Sequence, residues 1–282
     1  MLTYHEWKES GAFFTFKAHQ IFFKDTREAG KPCLLLFHGF PTSSWDWHAI
    51  WPALSESYRL ICLDFLGYGF SDKPQNYTYS FFEQANIVEH LLKLLSIDQF
   101  HILAHDYGDT VTQELLAREN ERETSRVCST TLLNGGIIYE AIDFALIQRL
   151  LLSPFGSLIA RLMTFRKFKN NFDDICAIKR PDEELESYWE IINHNQGHKV
   201  VHLLINYIRE RKQHRDRWVG ALQNTQAPLQ FINGIEDPIS GKKMVDAFQK
   251  LIPNGKVIEL NGIGHYPQVE APEIIVKNLI EL

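Results

Sequence analysis

A short segment near the middle of the chain constrains the fold most. Residues 101–120 read HILAHDYGDTVTQELLAREN, which is an apolar run of strand type, a tight turn around Asp106, and then a helical run. Ala104 and Gly108 stand two positions before and after Asp106. A sharp strand-to-helix turn needs small residues at both positions, because larger side chains would collide, and it strains its central residue. The spacing therefore predicts that Asp106 is presented at the turn as a nucleophile.

The alternative is that Asp106 only caps the helix that follows it. Aspartate is common at helix N-caps, where its carboxylate accepts a hydrogen bond from a backbone N–H. A cap, however, does not require small residues such as Ala104 and Gly108 on both of its sides. The pattern favours a nucleophile, and the helix cap remains the alternative.

Strands and helices alternate through the first part of the chain. The runs CLLLFHG and YRLICLDF are apolar throughout, as buried central strands are. AFFTFKA and QIFFKD predict a hairpin before them, and FFEQANIVEHLLKLLSI has apolar residues at helical spacing behind a capping Ser80. This alternation predicts an α/β fold with a mostly parallel sheet flanked by helices.

Residues 137–222 interrupt that alternation. They contain no run of strand type, and their apolar residues follow helical patterns instead. Strands return at APLQFING and GKVIEL, and EIIVKNLIEL predicts a closing helix. We therefore predict a core formed by residues 1–136 and 223–282, with residues 137–222 inserted as a helical cap, or lid, over it.

Charge and composition restrict the classes of function. The 282 residues carry a formal net charge of −6, which argues against a protein that follows nucleic-acid phosphates. The chain opens without a basic region and apolar run of signal-peptide type, and its most apolar stretch, residues 144–163, is interrupted by charged residues and a proline. We expect a cytoplasmic protein, either monomer or homodimer, for which contact with a membrane surface is the less favoured alternative.

The cysteines and the motif content lead to negative expectations. Cys33, Cys62, Cys128 and Cys176 lack metal-ligand spacing, so free buried thiols are the simplest interpretation. The sequence contains neither a phosphate-binding loop nor a metal-cluster motif, and we predict no cofactor and no metal. The expected partner is a small apolar organic substrate, and no nucleic acid.

Three further segments carry residues suited to hydrolytic chemistry. In LLLFHGFPTSSWDW, Gly39 permits a close backbone approach, so the N–H groups of Phe40 and Tyr107 are candidates for an oxyanion hole. NGIEDP places Asp237 after the returning strand, and LNGIGHYPQVEAPE places His265 in a loop before the last helix. Taken alone, the first fits an Asp-Pro turn and the second an exposed loop histidine. Together, the order nucleophile, acid, histidine is typical of the α/β-hydrolase arrangement.

The segments DFLGYGFSDKP, HDYGD, LLNGGI and RDRWVGAL carry a resemblance that spans nearly the whole chain. The chain resembles the α/β-hydrolase superfamily, in the branch of epoxide hydrolases and haloalkane dehalogenases, and within it the group of mesoderm-specific transcript proteins. The resemblance implies an eight-stranded sheet with a helical cap, and a catalytic triad of Asp106, His265 and Asp237. It further implies that the Asp106 carboxylate attacks a saturated carbon and that water activated by His265 hydrolyses the resulting ester.

Departures from that branch bear on the substrate. Epoxide hydrolases of this type carry a tryptophan directly after the nucleophile and two cap tyrosines that donate to the epoxide oxygen. Tyr107 follows the nucleophile here, and Ile208 stands at one of the tyrosine positions, with Tyr207 one residue earlier. We predict Tyr207, Tyr139 and Trp45 as substrate-binding residues.

The halide-binding residues of the branch are also replaced. Dehalogenases of this type hold the halide with a tryptophan after the nucleophile and often an asparagine in the oxyanion loop, where this chain has Tyr107 and Phe40. We therefore predict an epoxide hydrolase-like enzyme, with a haloalkane dehalogenase or an ester hydrolase of the same fold as the alternative. A non-catalytic ligand-binding protein of this fold is a second alternative, against which the intact set of Asp106, Asp237 and His265 argues.

Overall fold

The centre of the molecule is one twisted sheet. The structure, a computed structural model, describes residues 2–280. The strands are β1 (Ala12–Phe16), β2 (His19–Asp25), β3 (Cys33–Phe37), β4 (Arg59–Leu63), β5 (Phe100–His105), β6 (Val127–Leu133), β7 (Leu229–Gly234) and β8 (Lys256–Leu260). They form one sheet in the order β1-β2-β4-β3-β5-β6-β7-β8. The pairs β1/β2 and β2/β4 are antiparallel and the other neighbours are parallel, which confirms the predicted α/β fold with a mostly parallel, eight-stranded sheet.

Helices account for most of the remaining chain. The α-helices of the described residues are α1 (Tyr4–Glu9), α2 (Trp51–Ser55), α3 (Phe81–Leu94), α4 (Tyr107–Glu119), α5 (Leu146–Leu151), α6 (Gly156–Arg161), α7 (Phe165–Ile175), α8 (Asp182–Asn193), α9 (Val201–Leu204), α10 (Tyr207–Gln213), α11 (Arg215–Asn224), α12 (Lys242–Leu251), α13 (Pro267–Glu270) and α14 (Pro272–Ile280). Short 3-10 helices lie at Ser44–Trp47, Tyr139–Ala141 and His194–Lys199.

The local sequence signals explain these elements. Every residue of β3 and of β7 is buried, as apolar runs that are covered on both faces require. The predicted hairpin is formed by β1 and β2, with Phe13 opposite Phe22. Ser80 caps α3 as predicted, since its side chain accepts a hydrogen bond from the backbone N–H of Glu83.

Parallel pairing brings the predicted site positions to one edge of the sheet. Phe37 of β3 lies opposite Ala104 of β5, and Gly234 of β7 lies opposite Leu260 of β8. The carboxyl ends of these parallel strands therefore point to the same edge, which is where α/β folds bind their ligands. The loops that follow the four strands carry four predicted site residues: Phe40, Asp106, Asp237 and His265.

The segment between β6 and β7 is helical in the described structure. It contains α5 to α11, and α5 packs against α6 while α7 packs against α8. Helix α11 packs against α4 of the core. The division into a core of residues 1–136 and 223–282 and a cap of residues 137–222 stays a prediction, and its second boundary falls within α11.

The cysteines and the helix lengths complete the description. All four cysteines are free, three of them buried and Cys128 half-buried. Burial raises the pKa of the Cys33 thiol to about 12, so this thiol is not ionised near neutral pH. Within residues 2–280, none of the helices is both long enough and apolar enough to cross a bilayer.

Candidate active site

Asp106 occupies a strained turn between β5 and α4. Its backbone has φ +45° and ψ −99°, a conformation that residues other than glycine rarely adopt. It stands at the N-cap position of α4, but its side chain makes no capping hydrogen bond. The carboxylate Oδ2 instead accepts a hydrogen bond from the backbone N–H of Phe40 at 3.1 Å. The carboxylate is therefore turned toward the loop after β3 and away from the helix it precedes.

Two glycines make this close approach possible. A Cβ atom on Gly108 would lie 2.3 Å from the carbonyl oxygen of Phe37, and a Cβ on Gly39 would lie 2.7 Å from Nδ1 of His105. Both distances are far below van der Waals contact, so any side chain would separate the turn from β3 or from the loop after it. Tyr107 begins α4, and the helix itself offers no partner to its N–H. The N–H groups of Phe40 and Tyr107 remain the predicted oxyanion hole.

His265 and Asp237 form a buried pair. Nδ1 of His265 lies 2.7 Å from Oδ2 of Asp237, and because an ionised carboxylate can only accept, this nitrogen donates. The same carboxylate accepts from Oγ of Ser240 at 2.7 Å and from Nδ2 of Asn134 at 3.0 Å. Asn134 follows β6, so it supports the acid instead of supplying one. The pair leaves Nε2 of the imidazole free for a proton transfer.

The charges of this pair stabilise each other. Burial alone would lower the pKa of His265, but the carboxylate of Asp237 raises it to about 9, and the charge of Asp106 adds to the increase. Burial would raise the pKa of Asp237, yet the neighbouring His265 and the donors of Ser240 and Asn134 hold it below its usual value. The site therefore favours an imidazolium at His265, next to the carboxylates of Asp237 and Asp106.

His105 and Asp46 are buried beneath the site and hold two of its loops, the loop after β3 and the loop that carries His265. His105 is fully buried, and burial lowers the pKa of its imidazole to about 3, so the ring is neutral. Its Nε2 donates to the main-chain oxygen of His265 at 2.8 Å. Asp46 accepts from Oγ1 of Thr42 at 2.6 Å and from the N–H of Gly39 at 3.4 Å. These bonds tie the loop after β3 and the loop of His265 to the core.

Asp106 and His265 both line a cavity of about 460 Å³ between the core and the cap. Helices α5, α6, α7 and α8 contribute most of its wall, and the wall is mainly apolar. The cap adds four polar side chains to it: Gln148, Asn171, Asp174 and His198. A small apolar molecule with one reactive polar group suits such a space.

Arg211 of α10 was not anticipated from the sequence. Its Nη2 lies 2.9 Å from the main-chain oxygen and 3.3 Å from Oδ1 of Asp106, and its Nε donates to Oγ1 of Thr110 at 2.9 Å. The side chain is only 4% exposed, and its guanidinium lies over the ring of Tyr207, 4.6 Å from the centroid. A charged cap residue therefore holds the turn and one carboxylate oxygen of Asp106. Its only sequence signal is the cation-rich run RERKQHRDRW, which does not distinguish Arg211 from its neighbours.

The described cavity wall does not include the three predicted substrate-binding residues Tyr207, Tyr139 and Trp45. Tyr207 is buried behind the wall, and its hydroxyl lies 3.4 Å from Nε2 of Gln148, which does line the cavity. Tyr139 is half-buried in a 3-10 helix. Trp45 stacks on His48 in the apolar core. Contact of these three side chains with a substrate stays a prediction. Gln148 lies between Tyr207 and the cavity, so Tyr207 would act on a substrate by positioning Gln148.

Metal ligation has no basis in the described part of the chain. Among residues 2–280, no group of three or more histidine, cysteine, aspartate or glutamate side chains is placed to hold a metal ion. At the Asp106 end of the cavity, the Asp106 carboxylate and the His265–Asp237 pair lie together, and the Arg211 guanidinium contacts Asp106. This set suits nucleophilic attack by a carboxylate followed by hydrolysis.

Comparison with known proteins agrees with this arrangement. A family model described as the alpha/beta hydrolase fold matches residues 32–272. The mesoderm-specific transcript protein of Mus musculus is 44% identical over 284 residues, covering 95% of this chain and 84% of the relative. LipZ of Mycobacterium tuberculosis strain CDC 1551 is 36% identical over 280 residues, covering 98% and 96%. These matches confirm the resemblance inferred from the sequence motifs.

Solved structures extend the agreement to the fold. The haloalkane dehalogenase DbeA of Bradyrhizobium elkani USDA94 superposes with a TM-score of 0.79 at 21% identity, covering 96% of each chain. At that identity the likeness concerns the fold alone. Because the family model spans most of the sequence and the mouse relative is 44% identical to it, the chain belongs to the alpha/beta hydrolase fold family.

Proposed function

We propose that this chain is a cofactor-independent hydrolase in which Asp106 forms a covalent alkyl-enzyme ester, with an epoxide as the substrate that fits best. The observation that carries the proposal is the position of the Asp106 carboxylate. It lies at a strained turn on the cavity wall, with Oδ2 bound by the Phe40 N–H and Oδ1 beside Arg211. A carboxylate used only as a helix cap would need none of these contacts.

The first step is attack on a saturated carbon. A carboxylate oxygen of Asp106 forms a bond to an epoxide carbon, the ring C–O bond breaks, and its electron pair stays on the ring oxygen. The ester that results carries no charge. Since the charge of Asp106 helps to raise the pKa of His265, its loss lowers that pKa. The imidazolium then gives up its proton, which neutralises the alkoxide directly or through water.

The second step is hydrolysis of the ester. Neutral His265 takes a proton from water at Nε2, and the hydroxide attacks the ester carbonyl carbon of Asp106. The oxyanion that forms is held by the Phe40 and Tyr107 N–H groups, while Asp237 stabilises the imidazolium. Collapse expels the product alkoxide, which takes the proton of the Asp106 carboxyl group. One water is consumed, and its oxygen remains in the Asp106 carboxylate while an oxygen of Asp106 leaves in the diol.

Arg211 acts as a positioning residue in this scheme. Its guanidinium holds the main-chain oxygen of Asp106 as well as the carboxylate, so the turn stays bound when the carboxylate becomes an ester. Its third contact, to Thr110, lies on the first turn of α4. Three directional bonds from one planar group hold the main chain of the turn, one carboxylate oxygen of Asp106 and the first turn of α4 together.

A haloalkane is the second candidate substrate. Trp189 lines the cavity from α8, and an indole N–H is a donor that a leaving halide could use. The structural neighbour DbeA is named a haloalkane dehalogenase, although at 21% identity this supports only the fold. Gln148, which also lines the cavity and contacts Tyr207, offers an amide donor to the oxygen of an opened epoxide. Tyr107 and Phe40 replace the tryptophan and asparagine that hold the halide in dehalogenases, and this favours the epoxide.

The test is to trap the ester. His265→Gln removes the base of the second step, so the adduct should accumulate on the peptide that contains Asp106 and be visible by mass spectrometry. Ring opening loses no atoms, so an epoxide adds its full mass, whereas a haloalkane adds its alkyl group without the halogen. The matched control is the double variant Asp106→Ala/His265→Gln, in which no adduct should form.

Two outcomes would overturn the proposal. One is ester hydrolysis by the unmodified enzyme that Asp106→Ala leaves intact, because another nucleophile would then be at work. The other is an absence of turnover with epoxides, haloalkanes and esters together with an increase in Tm on addition of one of these apolar compounds. That pattern describes a binding protein.

A further inference from the structure

Exposed apolar side chains are concentrated on one side of the cap. The described residues include nine large apolar side chains that are exposed, and five of them fall between residues 146 and 162. These five, with exposures from 41% to 73%, define the lid face: Leu146, Leu150, Phe155, Leu158 and Leu162. The other four are dispersed along the chain. Concentrations of this kind on a folded protein mark a surface that binds something apolar.

Helical spacing gives the lid face its order. Leu146 and Leu150 stand four residues apart in α5, so they lie on the same side of that helix. Phe155, Leu158 and Leu162 are separated by three and four residues along α6 and its two ends. Each helix buries its opposite side, and the two helices pack against each other. The lid face is therefore the outer surface of a pair of short amphipathic helices.

The segment that carries the lid face is rich in positive charge. Residues 144–171 contain five lysines and arginines and no aspartate or glutamate, although the whole chain has a net charge of −6. Four of the five cations are exposed, and in the described structure they make no ion pair: Arg149, Arg161, Arg166 and Lys167. Arg161 follows Leu158 by three residues, which puts a cation beside the apolar row. Apolar side chains bordered by unpaired cations match the headgroup boundary of an anionic bilayer.

The lid face also lies at the entrance of the cavity. Leu146 is 73% exposed and yet lines the cavity, so it stands at the mouth. Ala160 and Met163, which belong to or directly follow α6, line the cavity as well. The helices that present apolar residues to solvent therefore present others to the cavity.

We propose that the lid face docks on an anionic phospholipid surface, with the mouth of the cavity facing the membrane. A second copy of the chain is a poor occupant, because a symmetric contact would bring the same cations together. Docking in the plane of the interface needs no membrane-spanning helix. It is also independent of the proposed reaction, and only the further step, entry of an apolar substrate from the lipid, depends on that function. The sequence favoured a protein without membrane contact, and the exposure of these side chains is what changes the expectation.

Vesicle sedimentation tests the docking. Wild-type protein should sediment with phosphatidylcholine vesicles that contain about 30% phosphatidylserine, should bind pure phosphatidylcholine more weakly, and should be released by high salt. The variant Phe155→Ser/Leu158→Ser should lose at least roughly tenfold in binding. Its matched control, Phe13→Ser/Leu94→Ser, removes the same two residue types at similar exposures, 47% and 55%, and should bind like wild type.

Charge is tested in the same assay. Arg161→Gln/Lys167→Gln should weaken binding by roughly tenfold or more, whereas Lys250→Gln/Lys256→Gln, at two exposed lysines elsewhere, should not. Asp106→Ala should still sediment, which separates a failure of docking from a failure of the proposed reaction. Wild-type protein that stays in the supernatant with both vesicle types overturns the inference. So does a dimer, measured by light scattering, that Phe155→Ser/Leu158→Ser dissociates without any vesicle binding having been observed.

Discussion

The two sides of the cap are attached to the core in different ways. Helices α10 and α11 are held by charged hydrogen bonds. Arg211 binds Asp106, Glu210 accepts from the N–H of Phe81 at 3.0 Å, and Glu114 of the core accepts from a residue of α11, Trp218, at 3.0 Å. Such bonds are directional, and burial strengthens them. This side of the cap therefore has a fixed position relative to Asp106.

Helices α5 and α6 have no comparable attachment. Each is six residues long and buries only two residues, Gln148 and Leu151 in α5 and Gly156 and Ala160 in α6. Their outer surface is the lid face. Helices with few buried contacts have low local stability. One side of the cap therefore holds Asp106 in place, whereas the other side forms the mouth of the cavity.

The largest expected effect is at the nucleophile on the anchored side. Asp106→Ala should reduce turnover of any accepted epoxide by at least about 10³-fold, because the proposed ester forms on this carboxylate. Steady-state product formation is the measurement, and Phe13→Ser, at an exposed position in β1, is the control that should keep full activity. A variant that retained more than a tenth of the activity would contradict the assignment.

The second-largest effect is expected from removing the contact between Arg211 and Asp106. Arg211→Met removes the guanidinium that contacts the buried Asp106 carboxylate, and removal of one partner of a buried pair costs about 3–5 kcal/mol. Urea unfolding would measure this loss. Lys212→Met, at an exposed position next in the chain, should change the free energy of unfolding by less than about 0.5 kcal/mol. Equal effects of the two variants would remove the basis for calling this side anchored.

The two histidines of the cavity wall should titrate differently. His265 of the core has its pKa raised to about 9, whereas burial lowers the pKa of His198 in the cap. Because the folded pKa of His265 exceeds its unfolded value of about 6.5, its contribution to stability is full below that pH and is lost as pH rises through about 9.

NMR titration of the histidine side chains measures both pKa values directly. Wild-type protein should lose stability relative to His265→Gln between about pH 6.5 and 9, and His198→Gln should leave that interval unchanged. A stability difference that instead grew with pH over this interval would mean that His265 is not paired with Asp237.

The smallest effect is expected on the free side of the cap. Leu158→Ser removes an exposed apolar side chain and should change the free energy of unfolding by about 0.5 kcal/mol or less. The matched buried position in the neighbouring helix, Leu151→Ala, should cost about 2–5 kcal/mol. Thermal and urea unfolding of the two variants would show whether the lid face is a surface or part of a packed interface.

Much of the fold could be predicted because its signals are local. The apolar runs of β3 and β7 identify buried strands, and Ser80 marks the start of α3 from its side-chain chemistry alone. The turn at Asp106 is recognisable because Ala104 and Gly108 flank it at the required spacing, although the atom that a side chain at Gly108 would strike, the Phe37 carbonyl oxygen, belongs to a distant strand. The chain order of the triad then follows from which strand each loop succeeds.

The remaining parts of the site depend on contacts between distant segments. Arg211 and Asp106 are separated by 105 residues, and the run RERKQHRDRW contains five cations of which the structure buries only Arg211. The placement of Tyr207 behind Gln148 likewise depends on how α10 packs against α5. The exposure of Leu146 and Phe155 was also not evident, since apolar helix residues are ordinarily read as buried. Packing decides all of these, and sequence periodicity does not contain it.

The backbone at residue 106 has a consequence for engineering. An aspartate held at positive φ costs on the order of 1–3 kcal/mol, whereas glycine adopts this conformation freely. A library selected only for heat tolerance would therefore enrich glycine at position 106 and yield robust proteins that lack the proposed nucleophile. Thermostabilisation of this scaffold should keep that codon fixed, or score turnover in every round.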